Sequence, residues 1–180
     1  MKLNKSKSIA FIALFAALIA VCSWVSIPSI VPFTMQTFAV YFTLIFLGAK
    51  RGTLAICVYL LLGLLGIPVF ANFNSGIGAL FGLTGGYMLG WIISGFVMWL
   101  FEKIPSEKIW VQAISMLVGL IVCYIAGTAW FMLIYAQTTG PIGLWTALLW
   151  CVIPFIIPDV LKLAIALFLS QRLKKLVERI

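Results

Sequence analysis

From residue 8 onward the chain is a succession of long apolar runs separated by short stretches that hold most of its polar residues. The runs lie at about 8–25, 34–48, 53–66, 79–100, 109–135 and 143–170. Continuous apolar runs with few charges read as membrane spans of about 20 residues each. The last run is long for one span and carries Pro154 and Pro158. Proline breaks a helix interior but suits its first turn. The pattern therefore predicts a short interfacial helix at 143–152 and a sixth span running from near Pro158 to near Arg172. The fold expected is an all-α integral membrane protein, a single membrane domain over 1–180 with six transmembrane helices. There is no convincing internal repeat or low-complexity segment.

Composition agrees with that class. The chain is 64% hydrophobic and 9% charged, with a mean hydropathy of +1.23; a soluble domain is about 25% charged. A net charge of +8 could suggest nucleic acid as a partner, but the placement of the charges excludes it. Lys2, Lys5 and Lys7 precede the first run, and Lys50 and Arg51 separate the second and third. Lys103 and Lys108 separate the fourth and fifth, and Arg172, Lys174, Lys175 and Arg179 close the chain. The connections around 25–33, 66–76 and 136–142 contain no Lys or Arg. Basic residues on alternate connections mark the cytoplasmic side, which puts both termini in the cytoplasm. The basicity then serves orientation and anionic headgroups of the lipid bilayer. Lysines before an apolar stretch and Ala20-Val21-Cys22 also resemble a signal peptide, but Val21 stands where a lipoprotein signal needs Gly or Ala. The first run is expected to be retained as a span.

Only Lys162 breaks the charge pattern, three residues after Asp159 in PFIIPDVLK. From Asp159 to Arg172 a helix rises about 20 Å, against a hydrocarbon core of about 30 Å. Both residues thus fall in the outer half of the membrane, on one helix face. A charge at mid-membrane costs about 2.5–3.5 kcal/mol, and such residues usually face a cavity and mark a substrate path. An internal ion pair clamping the last helix is the structural alternative. Other chemistry is scarce. Histidine is absent, and Cys22, Cys57, Cys123 and Cys151 stand singly, so they read as small hydrophobes and a metal site is not expected. No phosphate loop of GxxxxGK[ST] form is present, and no nucleophile has a base beside it. The chain is therefore not expected to be an enzyme, and no cofactor is implied. ATP-driven transport would need an ATPase on another chain.

Two further stretches carry weight. FNSGIGALFGLTGGYMLG holds Gly76, Gly78, Gly82, Gly85, Gly86 and Gly90, which suit close helix packing, chiefly at Gly82, Gly86 and Gly90. Alternatively its loop brings backbone close to a ligand, with Asn74 and Asn72 as amide donors and acceptors. In the first span Ala13, Ala16, Ala17 and Ala20 form a small-residue stripe with AxxxA spacing. It serves either ordinary internal packing or the docking of a partner helix.

Taken together, PFTMQTFAVYFTLIFLGAKRG (32–52), GIPVFANFNSG and FGLTGGYMLGW (66–91), GTAWF (127–131) and PFIIPDVLK (154–162) resemble the BioY family. Its members are the biotin-binding S-components of energy-coupling factor (ECF) transporters. The resemblance runs in matching order over nearly the whole chain. It implies six helices, a biotin site near the outer face, and location in the cell (cytoplasmic) membrane of a prokaryote. It also implies coupling to a membrane T-component and two ABC-type ATPases. The family's acidic and basic ligand pair falls on Asp159 and Lys162, although its Pro-Gly-Asp reads Ile157-Pro158-Asp159 here. Its loop asparagine falls on Asn74, with Asn72 as the neighbouring alternative. Gln36 and Tyr87, inside the matching stretches, complete the substrate-binding set, and the coupling face falls on Ala13 with Ala17 or Ala16 with Ala20. The rival readings are an S-component for thiamine or riboflavin, and an assembly protein in which Asp159 and Lys162 are a clamp.

Overall fold

A computed structural model describes residues 4–104 and 108–177. Lys2 and Arg179 of the charge pattern lie outside the described residues. The helices are α1 (Lys5–Trp24), α2 (Gln36–Leu47), α3 (Ala49–Leu64), α4 (Gly76–Leu80), α5 (Gly85–Glu102), α6 (Ile109–Thr138), α7 (Leu144–Cys151) and α8 (Ile153–Val177). Two short strands, β1 (Ser26–Ile27) and β2 (Phe33–Thr34), pair antiparallel and close the loop between α1 and α2. By length and apolarity α1, α6 and α8 can each cross a membrane. Many of their large apolar side chains, including Leu14, Ile121, Ile125, Leu161 and Phe168, face outward. In lipid such a surface needs no cover, because hydrocarbon is as apolar as leucine.

α2 lies at the centre, packed by α1, α3 and α8, and is buried over most of its length. Phe15 of α1 stacks on Phe42 and Phe46 of α2 at 5.6 and 5.3 Å. α5 and α6 form the most extensive helix pair, and glycine is what lets them approach. A Cβ on Gly86 would meet Trp130 Cβ at 2.1 Å, and one on Gly127 would meet the Tyr87 ring at 2.1 Å. Gly90 lies against Cys123 less tightly, where an added Cβ would be 3.1 Å from Sγ. Packing is thus the role of Gly86 and Gly90, whereas Gly82 borders a cavity. One polar knot is buried between these helices: the Ser94 hydroxyl lies within hydrogen-bonding distance of the Gly90 and Gly119 carbonyls and accepts from Tyr41.

Two spans differ from the sequence expectation. The expected helix at 79–100 is divided into α4 and α5, with a break at 81–84. Within that break the Gly82 carbonyl accepts from the Gly85 N–H at 3.1 Å and from Trp130 Nε1 of α6 at 3.0 Å, so α6 anchors it. The last helix begins at Ile153 rather than near Pro158, and Pro158 lies inside it. Proline at 158, the sixth residue of α8, removes one hydrogen bond, that to the Pro154 carbonyl, and the helix continues past it. α7 is the short helix expected at 143–152, and Val152 alone separates it from α8.

The two ends of the bundle differ in chemistry. At one end Glu102 of α5 accepts a hydrogen bond from the Ala49 backbone N–H that starts α3, at 2.6 Å. Beside it Gln171 of α8 donates to Gln112 of α6 at 2.7 Å. Lys50, Lys103, Lys108, Arg172 and Lys174 belong to these helix ends. At the other end Trp24 Nε1 donates to the Pro68 carbonyl, Ser26 to Asn72, and Phe33 stacks on Phe155.

Candidate functional site

A cavity of about 260 Å³ opens at the end opposite the basic residues, walled by β2, α2, α4, α5, α6, α7 and α8. Asp159 and Lys162 come from the second and third turns of α8, one helical turn apart, and both are buried. Lys162 Nζ donates to Asp159 Oδ1 at 2.9 Å and to the Thr34 carbonyl at 2.8 Å, and sits 4.2 Å from the Phe33 ring centre. The other carboxylate oxygen, Oδ2, accepts from the Tyr124 hydroxyl of α6 at 2.8 Å. Each charge is therefore compensated on several sides, as burial of charge requires. The loop before α2 supplies one of those contacts because the β1–β2 pairing holds Thr34 in place.

Gln36, the first residue of α2, is also buried on the cavity wall. Its amide donates to the Tyr59 hydroxyl at 2.6 Å, and its oxygen accepts from Thr34 Oγ1 at 3.0 Å. Tyr87 lines the opposite wall, its hydroxyl 3.1 Å from Thr128 Oγ1. Gly127, Thr128 and Trp130, all from GTAWF, thus hold the start of α5: one makes room for Tyr87, one bonds it, one fixes Gly82. Met88, Trp91, Leu120 and Phe155 supply apolar and aromatic surface. Among the described residues no group of three His, Cys, Asp or Glu side chains is placed to hold a metal ion.

The two loop asparagines part company. Asn74 borders the cavity at its exposed rim. Asn72 does not line it: with a left-handed backbone (φ 57°) it turns away and accepts from Ser26 Oγ at 2.9 Å. The alanine stripe divides as well. Ala16 and Ala20 are buried in the core, whereas Ala13 and Ala17 lie on the exposed face of α1. Tyr124 and Thr34 were not singled out by sequence. A buried carboxylate with one lysine still has an oxygen to satisfy, which was the signal that a further donor had to arrive from another helix.

Comparisons with known proteins agree on one family. Residues 1–179 match the BioY family. A protein named "Biotin transporter BioY" from Thermotoga maritima is 41% identical over 172 residues, 92% of this chain and 95% of its own length. A "Probable biotin transporter BioY" from Pyrococcus horikoshii is 37% identical over 171 residues, covering 94% and 98%. Among solved structures, the S-component for biotin from an ECF-type ABC transporter superposes with a TM-score of 0.84 at 26% identity, covering 97% of this chain and 95% of that one. With a family match over all but the last residue and relatives above 30% identity covering more than nine-tenths of it, this chain belongs to the BioY family.

Proposed function

We propose that the protein is the substrate-binding S-component of an ATP-driven vitamin transporter and that its substrate is biotin. It is a multi-pass membrane protein with no catalytic role of its own. Six of its helices, α1, α2, α3, α5, α6 and α8, cross the cell membrane of a prokaryote with both termini in the cytoplasm. The observation that carries the substrate is the buried Asp159–Lys162 pair on the wall of a cavity otherwise rich in aromatic and aliphatic surface.

Biotin's ureido ring has two N–H donors and one carbonyl acceptor. Asp159 supplies acceptor oxygens, while Lys162 and the amide of Gln36 supply donors, and Asn74 borders the ligand at the rim. Tyr87, Met88, Trp91 and Phe155 face the thioether ring and the methylenes, in the manner of most small-molecule sites. The exposed Ala13–Ala17 face of α1 is the docking surface for a membrane T-component, which carries two ABC-type ATPases, since small residues let helix backbones approach closely. Asn72, bonded to Ser26 outside the cavity, shapes the loop.

The test is equilibrium binding of labelled biotin to the purified protein, with thiamine and riboflavin as competitors. Saturable binding displaced by unlabelled biotin alone is expected. Displacement by another vitamin at equal concentration would reassign the substrate, and no binding of any would leave Asp159 and Lys162 as a structural clamp.

A further inference from the structure

We infer that the site reads the ureido ring and leaves the carboxyl end of its ligand unread, so that biotin joined through an amide is also a ligand. This rests on biotin being the substrate. Among the described residues Lys162 is the only Lys or Arg lining the cavity, and in the sequence the outer connections at 25–33, 66–76 and 136–142 contain none. Its ammonium is already committed on three sides: to Asp159 Oδ1 at 2.9 Å, to the Thr34 carbonyl at 2.8 Å, and over the Phe33 ring at 4.2 Å. A carboxylate brought to it would stand beside Asp159, two anions sharing one cation in a buried setting, and each would lose hydration without a cation of its own.

The ureido ring suits the same place because it is neutral. It donates N–H to Asp159 and accepts from Lys162 without adding charge. Like the pair, the cavity walls at Met88, Trp91 and Leu120 are buried, whereas the rim at Asn74 and Gly78 is exposed. A ligand with its ring on the pair therefore carries its tail toward the rim. There water solvates the carboxylate, and an amide in its place loses no partner on the protein.

The experiment compares three ligands on the intact protein: biotin, biotin primary amide, and biotin methylated on a ureido nitrogen. The amide is expected to bind within about tenfold of biotin, and the methylated ligand about a hundredfold or more weaker. The same biotin-to-amide comparison on Lys162→Met is expected to give an unchanged affinity ratio. If biotin binds tightly but the amide is weakened by more than about tenfold, the carboxylate is read and the inference falls, while biotin as substrate stands. A ratio that shifts by more than about tenfold in Lys162→Met, or tight binding of the methylated ligand, overturns it as well. Should Lys162→Met fail to fold, the wild-type comparison decides alone. Failure of biotin itself to bind removes the substrate assignment and this inference together.

Discussion

Asp159 has both carboxylate oxygens occupied, one by Lys162 and one by Tyr124, and that divided satisfaction determines what each substitution should do. Asp159→Asn replaces one acceptor oxygen with an amide donor, which faces a ureido N–H or Lys162 with the wrong polarity. A buried polar group left unpaired costs about 1–3 kcal/mol, or from several-fold to over a hundredfold in affinity. Asp159→Asn and Lys162→Met should therefore each weaken biotin binding by that range while the protein stays folded. Tyr124→Phe removes only one donor to a carboxylate that keeps its lysine, so its loss should sit at the low end. A structural clamp predicts another pattern: both single changes lower the thermal midpoint, and the double change to Asn and Met restores it, because uncharged replacements of a buried pair are often tolerated. Binding and thermal unfolding of the two singles and the double decide between these roles. Unaltered affinity in the well-folded singles would remove both residues from the site.

Among the elements, α5 and α6 depend on glycine, and α1 offers two different faces. Gly127→Ala places a methyl 2.1 Å from the Tyr87 ring, and Gly86→Ala places one 2.1 Å from Trp130 Cβ, so the helices must part or twist. Overpacking of this kind costs about 1–3 kcal/mol. Both changes should lower the thermal midpoint, and Gly127→Ala should also weaken biotin through Tyr87. Gly143→Ala, with nothing within 4 Å of the added carbon, is the neutral control; equal stability of all three would show that the α5–α6 contact has slack. On α1, Ala13→Leu and Ala17→Leu point outward and should spare biotin binding while reducing co-purification with the T-component and uptake. Ala16→Leu points into the core and should destabilise the fold. Intact uptake in Ala13→Leu and Ala17→Leu would put the docking surface elsewhere. These faces were only half legible in the sequence, because alternating alanines at AxxxA spacing do not say which pair looks inward. The Asp159–Lys162 spacing was fully local and could be read directly. Its third member, Tyr124, lies on a different helix 35 residues away, and a lone tyrosine in a long apolar helix carries no local signal. The start of α8 was misplaced for a related reason. A proline rule counts one lost hydrogen bond but not the contacts with α2, α6 and α7 that hold the helix across it. The break between α4 and α5 was hidden in the glycine-rich run, where the deciding contact, Trp130 to Gly82, spans 48 residues.

At the scale of the whole molecule, the described basic residues other than Lys162 gather at one end of the bundle. Glu102 ties α5 to the start of α3, which carries Lys50 and Arg51, while Gln171 and Gln112 bring the end of α8 beside the start of α6. At this end Lys103 Nζ lies 4.1 Å from the Trp99 ring centre and Arg172 lies 5.3 Å from that of Phe168, as cations over aromatic rings do where helices leave the hydrocarbon. The opposite end holds the cavity and exposes Trp24 and Phe73, stacked at 5.2 Å, with no lysine or arginine in its connections. Each cytoplasmic basic residue near a span favours one orientation, and anionic lipids on that side add about 1 kcal/mol per charge near the surface. Inverting the molecule would carry all of them across the membrane, which is the basis of the proposed orientation with the cavity facing out. In a background with the four native cysteines replaced, single cysteines at Ser75 and Thr139 should react with a membrane-impermeant maleimide in intact cells. Cysteines at Lys50 and Lys103 should react only after the membrane is opened. Labelling of Ser75→Cys and Lys103→Cys from the same side would sink the topology. With it would go the proposed route by which a vitamin captured outside is handed to an ATPase within.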